Sequence, residues 1–179
     1  MTAGDISIEP LNEADIPALV ALARDTWLKH YASIITLAQI EYMLGQRYSL
    51  EVIRAQLADP AVWWDKVLLG GELAAFAQYE RGKAPGTIKI DKLYARHSLR
   101  GRGLGTALLR HIEQEARSLG CIRLELQVNK NNVSAIGAYR KNGFEIARSA
   151  VFDIGNGFVM DDYVMGKDLA PLPTDRASR

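Results

Sequence analysis

Arg100-Gly-Arg-Gly-Leu-Gly-Thr106 is the stretch on which the reading of this chain turns. Before it, Ile88-Lys-Ile-Asp-Lys-Leu-Tyr-Ala95 is rich in β-branched and aromatic residues and suits a strand. After it, Leu104, Leu108, Ile112, Ala116 and Leu119 recur at helical spacing until Gly120 stops the pattern. The glycines therefore occupy a strand-to-helix turn. The first amides of a helix have no partner inside it and lie at the positive end of its dipole, so phosphate oxygens can fill the vacancy. Gly101, Gly103 and Gly105 let the backbone approach a diphosphate with no Cβ in the way, and Arg100 and Arg102 add charged donors at the rim.

Two common nucleotide-binding patterns fail on spacing. A P-loop requires a glycine, four residues, then Gly-Lys-Ser/Thr, and the chain has no such run. A dinucleotide fold requires Gly-x-Gly-x-x-Gly. Counted from Gly101, the third glycine position is Thr106; counted from Gly103, it is Leu108.

Arg100, Gly103 and Gly105 instead satisfy Arg/Gln-x-x-Gly-x-Gly/Ala, which resembles the acetyl-CoA pyrophosphate loop of the GNAT superfamily of N-acetyltransferases. Downstream, Asn132-Val-Ser-Ala135-Ile-Gly-Ala-Tyr139-Arg-Lys-Asn-Gly143-Phe144 resembles that family's Asn-x-x-Ala-x-x-x-Tyr-x-x-x-Gly-Phe segment. The two come in the family's order and at its usual separation. More loosely, Phe152-Asp-Ile-Gly-Asn-Gly and Asp161-Asp162-Tyr-Val-Met resemble members similar to the PaiA polyamine acetyltransferases.

Outward from these segments, patterning supplies the remaining elements. Ile6 and Ile8 alternate with polar neighbours as a short strand, and Asn12 caps a helix whose stripe is Ile16, Leu19, Val20, Ala23 and Trp27. Thr36 and Ser49 cap helices over Leu37 to Tyr48 and Leu50 to Ala58, stopped by Asp59-Pro60. Val62 to Leu69 and Glu72 to Glu80 flank Gly70-Gly71 as a hairpin. Ile122, Leu124, Leu126 and Val128 alternate with polar residues, which predicts a strand parallel to Ile88 to Ala95 through a right-handed crossover. A short helix over Asn132 to Asn142 leads to a last hairpin of Phe144 to Asp153 and Phe158 to Leu169. The fold class is α/β. The expectation is one GNAT-like domain over residues 1–169, a mixed and mostly antiparallel twisted sheet with a central parallel pair and helices on both faces. Residues 170–179, with two prolines and little that is apolar, read as a loose tail.

A chain of 179 residues, 48% of them hydrophobic, can bury the core of one such domain. Its formal charge of +1 provides no general field for nucleic acid or a membrane surface, so an anion site has to be local. Neither is expected as a partner. Cys121 is the single cysteine, which excludes an internal disulfide and a thiolate zinc cluster, and no metal site is expected. His30, His97 and His111 lack metal spacing and read as surface residues. With no signal-like start and no run of membrane-spanning length, the chain reads as cytoplasmic.

Acetyl transfer from a thioester to an amine requires a neutral amine, a stabilised oxyanion and a proton for the departing thiolate. The resemblance implies acetyl-CoA as cosubstrate, direct transfer in a ternary complex, and Tyr139 as the acid at the CoA sulfur. It implies cofactor contacts from Leu93, Tyr94 and Ala95 through their backbones, from Arg100, Gly101, Arg102, Gly103, Leu104, Gly105 and Thr106, and from Asn132. Trp27 and Tyr31 would border the acceptor. Where many members carry a glutamate on the strand before the loop, this chain has Lys89. Asp91, Glu80 and a water chain are then the alternatives for the base. The acceptor expected from the resemblance is a polyamine, another small amine or antibiotic, or a peptide or protein N-terminus; a polyamine site should gather acids, and Glu41, Asp65, Asp161 and Asp162 are available. An acyl-CoA-binding module without turnover is the reading from another class, and a homodimer through the final hairpin is the family's analogy.

Overall fold

A computed structural model describes residues 6–170. The predicted tail, apart from Ala170, lies outside them. Seven strands form one sheet: β1 (Ile6–Pro10), β2 (Val62–Leu69), β3 (Glu72–Arg81), β4 (Thr87–Ala95), β5 (Arg123–Asn129), β6 (Glu145–Gly155) and β7 (Phe158–Asp168). The helices are α1 (Ile16–His30), α2 (Leu37–Arg47), α3 (Leu50–Ala58), α4 (Leu104–Ser118) and α5 (Val133–Lys141). The strand order is β1-β2-β3-β4-β5-β7-β6, antiparallel throughout except for β4 beside β5.

Local chemistry sets the boundaries. The Thr36 hydroxyl accepts the Gln39 amide at 3.2 Å, and the Ser49 hydroxyl accepts that of Val52 at 3.3 Å, which starts α2 and α3. Asn12 caps a 3-10 turn, Glu13–Asp15, in a reciprocal box with Asp15, and α1 begins only after it. Gly70 and Gly71, at φ of 61° and 84°, make the tight turn between β2 and β3. Ile122 departs from the alternation expected of it. It is 64% exposed and precedes β5, because parallel pairing begins only at Thr87 opposite Arg123.

The sheet separates two cores. On one face Leu104, Leu108 and Ile112 of α4 and Ile136 of α5 pack on Ile88, Ile90, Leu124 and Leu126. On the other, α1, α2 and α3 pack Leu19, Trp27, Ile40 and Ile53 on Trp64 and Phe76. Each helix buries an apolar stripe, and the sheet needs covering on both sides.

A bulge in β4 couples the two faces. Gln78 pairs with Lys92 and Tyr79 with Ile90, so Asp91 has no partner on β3. One extra residue reverses the alternation. Ile88 and Ile90 face α4 before the bulge; after it Leu93 and Ala95 face α4, while Tyr94 packs with the α1 side. Pairing of β4 to β5 also ends there, at Ile90 opposite Leu126. Beyond that point the two strands part.

Candidate active site

The gap between β4 and β5 opens a cleft of about 500 Å³. Its lining includes Leu93, Tyr94 and Ala95 of β4, the turn residues Arg100, Gly101, Gly103, Leu104, Gly105 and Thr106, and Asn132 and Tyr139 of the α5 segment. Tyr31 and Asp91 also line it. Of the residues singled out in the sequence, Arg102, Trp27 and Glu80 do not. Trp27 is 2% exposed and lies behind the wall, with its ring 4.8 Å from that of Tyr31 and 6.0 Å from that of Tyr94.

The turn at one end is shaped by backbone. Gly101 and Gly103 have φ of 77° and 81°, a region that side chains rarely adopt. A Cβ added at either would project into open space, so nothing among the described residues claims the volume above them. Gly103 offers no side-chain cap, which leaves the first amides of α4 free at the positive end of its dipole. Together with the exposed Arg100 they form an anion cradle.

Along the middle, β4 from Lys92 to Ala95 is paired to β3 but not to β5. The edge it presents can accept an extended, amide-bearing ligand as a further strand would pair. Tyr139 stands at this level, its ring 5.9 Å from that of Phe144. Burial, with Tyr31 nearby, pushes its phenol up, so it remains a proton donor at neutral pH.

Asp91 is held by cations on three sides. Its Oδ2 is 2.7 Å from Arg47 Nη2 and 2.9 Å from Lys92 Nζ, and its Oδ1 is 2.9 Å from Lys89 Nζ. Burial would raise this carboxyl, but Arg47, Lys92 and Lys89 outweigh burial and hold it well below the usual carboxylate range. A group so reluctant to bind a proton is a weak base. Lys92 is buried, accepted by Gln78 Oε1 at 2.9 Å and lying 5.1 Å from the centre of the Trp64 ring. Glu80 sits 3.5 Å from Lys89 at the far end of this network and away from the cleft.

Four residues were missed or misplaced by patterning alone. His30, read there as a surface residue, is half-buried and lines the cleft, with Nε2 2.9 Å from Asn132 Oδ1 and Nδ1 3.0 Å from Arg100 Nη1. It continues the stripe of α1 one step beyond Trp27, the signal that could have placed it. His111 is also engaged, 3.1 Å from the buried Asp65, which accepts the Tyr79 hydroxyl at 2.8 Å. Arg47 ends α2 and reaches Asp91 across the sheet face; no pattern in the sequence announced it. Asn142 closes the cleft wall, donating to Thr106 Oγ1 at 3.3 Å.

Comparison with known proteins agrees with this geometry. A family model described as the acetyltransferase (GNAT) family matches residues 21–144. A spermidine N(1)-acetyltransferase of Thermoplasma acidophilum is 24% identical over 158 residues, covering 87% of this chain and 96% of that protein. An L-methionine sulfoximine/L-methionine sulfone acetyltransferase of Pseudomonas aeruginosa is 27% identical over 145 residues, with 79% and 81% covered. The crystal structure of the PaiA N-acetyltransferase of Thermoplasma acidophilum, in complex with coenzyme A, superposes with a TM-score of 0.79 at 22% identity, over 92% of this chain and 99% of that one. With a cradle, a parted strand pair and a family model over more than half its length, the chain belongs to the acetyltransferase (GNAT) family.

Proposed function

We propose that the protein transfers an acetyl group from acetyl-CoA to a small primary amine, directly and within a ternary complex. The observation that carries this reading is that the unclaimed amides of the Gly103 turn, the unpaired edge of β4 and the Tyr139 phenol open onto one cleft. A relative crystallised with coenzyme A supports the choice of donor.

Each part then has a task. The amides of Leu104, Gly105 and Thr106, with Arg100 and Arg102 at the rim, bind the diphosphate. The backbone of Leu93 to Ala95 pairs with the pantetheine amides and donates to the oxyanion as it forms, and Asn132 adds a polar contact to the arm. Tyr139 protonates the departing sulfur. Tyr31, backed by Trp27, borders the acceptor on the α1 face. Asp91 keeps Arg47, Lys89 and Lys92 in place, a positioning duty, and Glu80 belongs to the same charge network.

Of the four acids available to a polyamine site, three are engaged elsewhere, and Asp162 keeps a buried oxygen without a partner among the described residues. Glu41 is bound to Arg24 at 2.6 Å, Asp65 is buried against Tyr79 and His111, and Asp161 is bound to Lys130 at 2.5 Å. That supports an acceptor presenting one ammonium group to the site, whether a short amine or an amino-acid derivative, over one gripped along a row of charges. The test is thiol release from acetyl-CoA with spermidine, butylamine and L-methionine sulfone, each product identified by mass. Transfer to at least one amine is expected, and hydrolysis alone or no release would refute the reading.

A further inference from the structure

Asp162 lies within β7, opposite Asn129 of β5 and Ala150 of β6. Alternation fixes its direction. Tyr163 and Met165 pack toward α4, and Met160 packs with α1 and α2, so Asp162 turns its carboxyl to the α1 and α2 face. It is 5% exposed, and its Oδ1 is buried without a hydrogen-bond partner among the described residues. Native proteins rarely leave a buried oxygen in this state, and a donor brought to it would recover the loss.

Its position relates it to the cleft. Gln127 and Val128 line the cleft where β5 leaves β4, Asn129 follows them, and Asp162 stands beside Asn129. Tyr31, which follows α1 and lines the cleft, and Arg47 at the end of α2 lie near enough to feel its charge, while Asp162 itself sits behind the lining. The other charges near Asp162 are Asp161, adjacent on β7, and Lys130 after β5, which hold each other at 2.5 Å. Burial, then Asp161, push Asp162 up; Arg47 and Lys130 oppose them, and the carboxyl comes to rest at about 6. At neutral pH it is ionised, and it is a stronger base than an ordinary carboxylate.

We propose that Asp162 receives the ammonium group of the acceptor and takes its proton. This rests on the acetyltransferase reading above. One N–H proton moves to the Asp162 carboxylate, and the freed lone pair attacks the thioester carbonyl carbon. As the tetrahedral oxyanion collapses, the C–S bond breaks and Tyr139 gives its proton to sulfur. The nitrogen's second proton replaces the one Tyr139 lost, and Asp162 returns its own to solvent. The products are an acetamide, a free thiol and one proton.

The experiment compares wild type with Asp162→Asn, Asp162→Glu and Asp161→Asn, reading kcat/KM against pH for whichever amine turns over. Asp162→Asn should lower kcat/KM about 100-fold at neutral pH. It should also abolish the acid limb set by a group titrating at about 6, with the remaining rate rising as the solution amine deprotonates. Asp162→Glu should restore part of the rate with a displaced limb, and Asp161→Asn should keep the rate at neutral pH with its limb moved to lower pH. A wild-type rate and limb in Asp162→Asn would overturn the proposal, as would an unmoved limb in Asp162→Glu should the asparagine variant not fold. If no amine turns over, the acetyltransferase reading fails, and the same assignment is read from calorimetry of spermidine and L-methionine sulfone on the CoA-loaded protein. Binding at least about tenfold weaker in Asp162→Asn, with CoA binding unchanged, supports it. Equal binding, or none in wild type, overturns it.

Discussion

The imidazole of His30, at the end of α1, donates from Nε2 to Asn132 Oδ1 at 2.9 Å, the same oxygen that caps α5 by accepting the Ala135 amide. Nδ1 is thereby left as the acceptor for Arg100, 3.0 Å away. One neutral ring thus ties α1, the turn before α4 and the α5 cap together. Burial and the Arg100 charge both push this histidine down, against the Asn132 hydrogen bond, so it titrates below the ordinary imidazole value.

Replacing His30 with Ala should therefore weaken acetyl-CoA binding about fivefold, the worth of roughly one hydrogen bond. In wild type the affinity should also fall as pH drops below the ordinary histidine range, because a proton on Nδ1 would face Arg100. Calorimetry at pH values on either side of that range checks both, and the pH effect should vanish in the variant.

Gly103 and Gly105 should respond differently to the same added methyl. Gly103→Ala places a side chain at φ of 81°, costing about 1–2 kcal/mol, and puts a methyl where the diphosphate approaches. The KM for acetyl-CoA should rise about tenfold or more while that for the amine holds. At Gly105 a Cβ would meet Leu93 Cδ2 at 3.5 Å, an ordinary contact, so Gly105→Ala should stay within about twofold of wild type.

Asp91→Ala leaves Arg47, Lys89 and Lys92 without their shared carboxylate, and breaking a buried pair this way costs about 3–5 kcal/mol. The expected outcome is a melting temperature lower by roughly 6–15 °C. Because the folded carboxyl is depressed, its contribution is present above the unfolded aspartate value and lost as pH falls toward the folded one. The variant should accordingly lose less stability than wild type on acidification below pH ~4.

Asp162 has the opposite sign. Its folded value of about 6 lies above the unfolded one, so the folded state binds the extra proton and stability falls as pH rises between them. Asp162→Asn should raise stability by up to about 3 kcal/mol above pH 6 and change little below pH ~4, as chemical denaturation at the two pH values would show.

The elements were legible because hydrophobic period, caps and glycine turns are local signals. The bounds of α3 and β2, and the parallel β4–β5 pair, follow directly from them. The insertion of β7 between β5 and β6 did not: a hairpin pattern shows that two strands pair, not which one lies against the sheet. The cradle glycines and Tyr139 were legible because their spacing is a motif. The bulge at Asp91 was not, since its effect, a reversed alternation beyond Ile90, arises only from pairing with β3. Arg47 and His30 stand 44 and 102 positions from Asp91 and Asn132, the groups they bond, and sequence carries no signal over such distances.

The central claim is tested most directly by acetyl transfer with wild type and Tyr139→Phe on the amine panel, following thiol release and the acetylated product together. Wild type should acetylate one class of amine, and the variant should show a kcat lower by about 100-fold or more with acetyl-CoA affinity unchanged. Tight CoA binding with no acetylated amine from any acceptor, or a variant as fast as wild type, would contradict it.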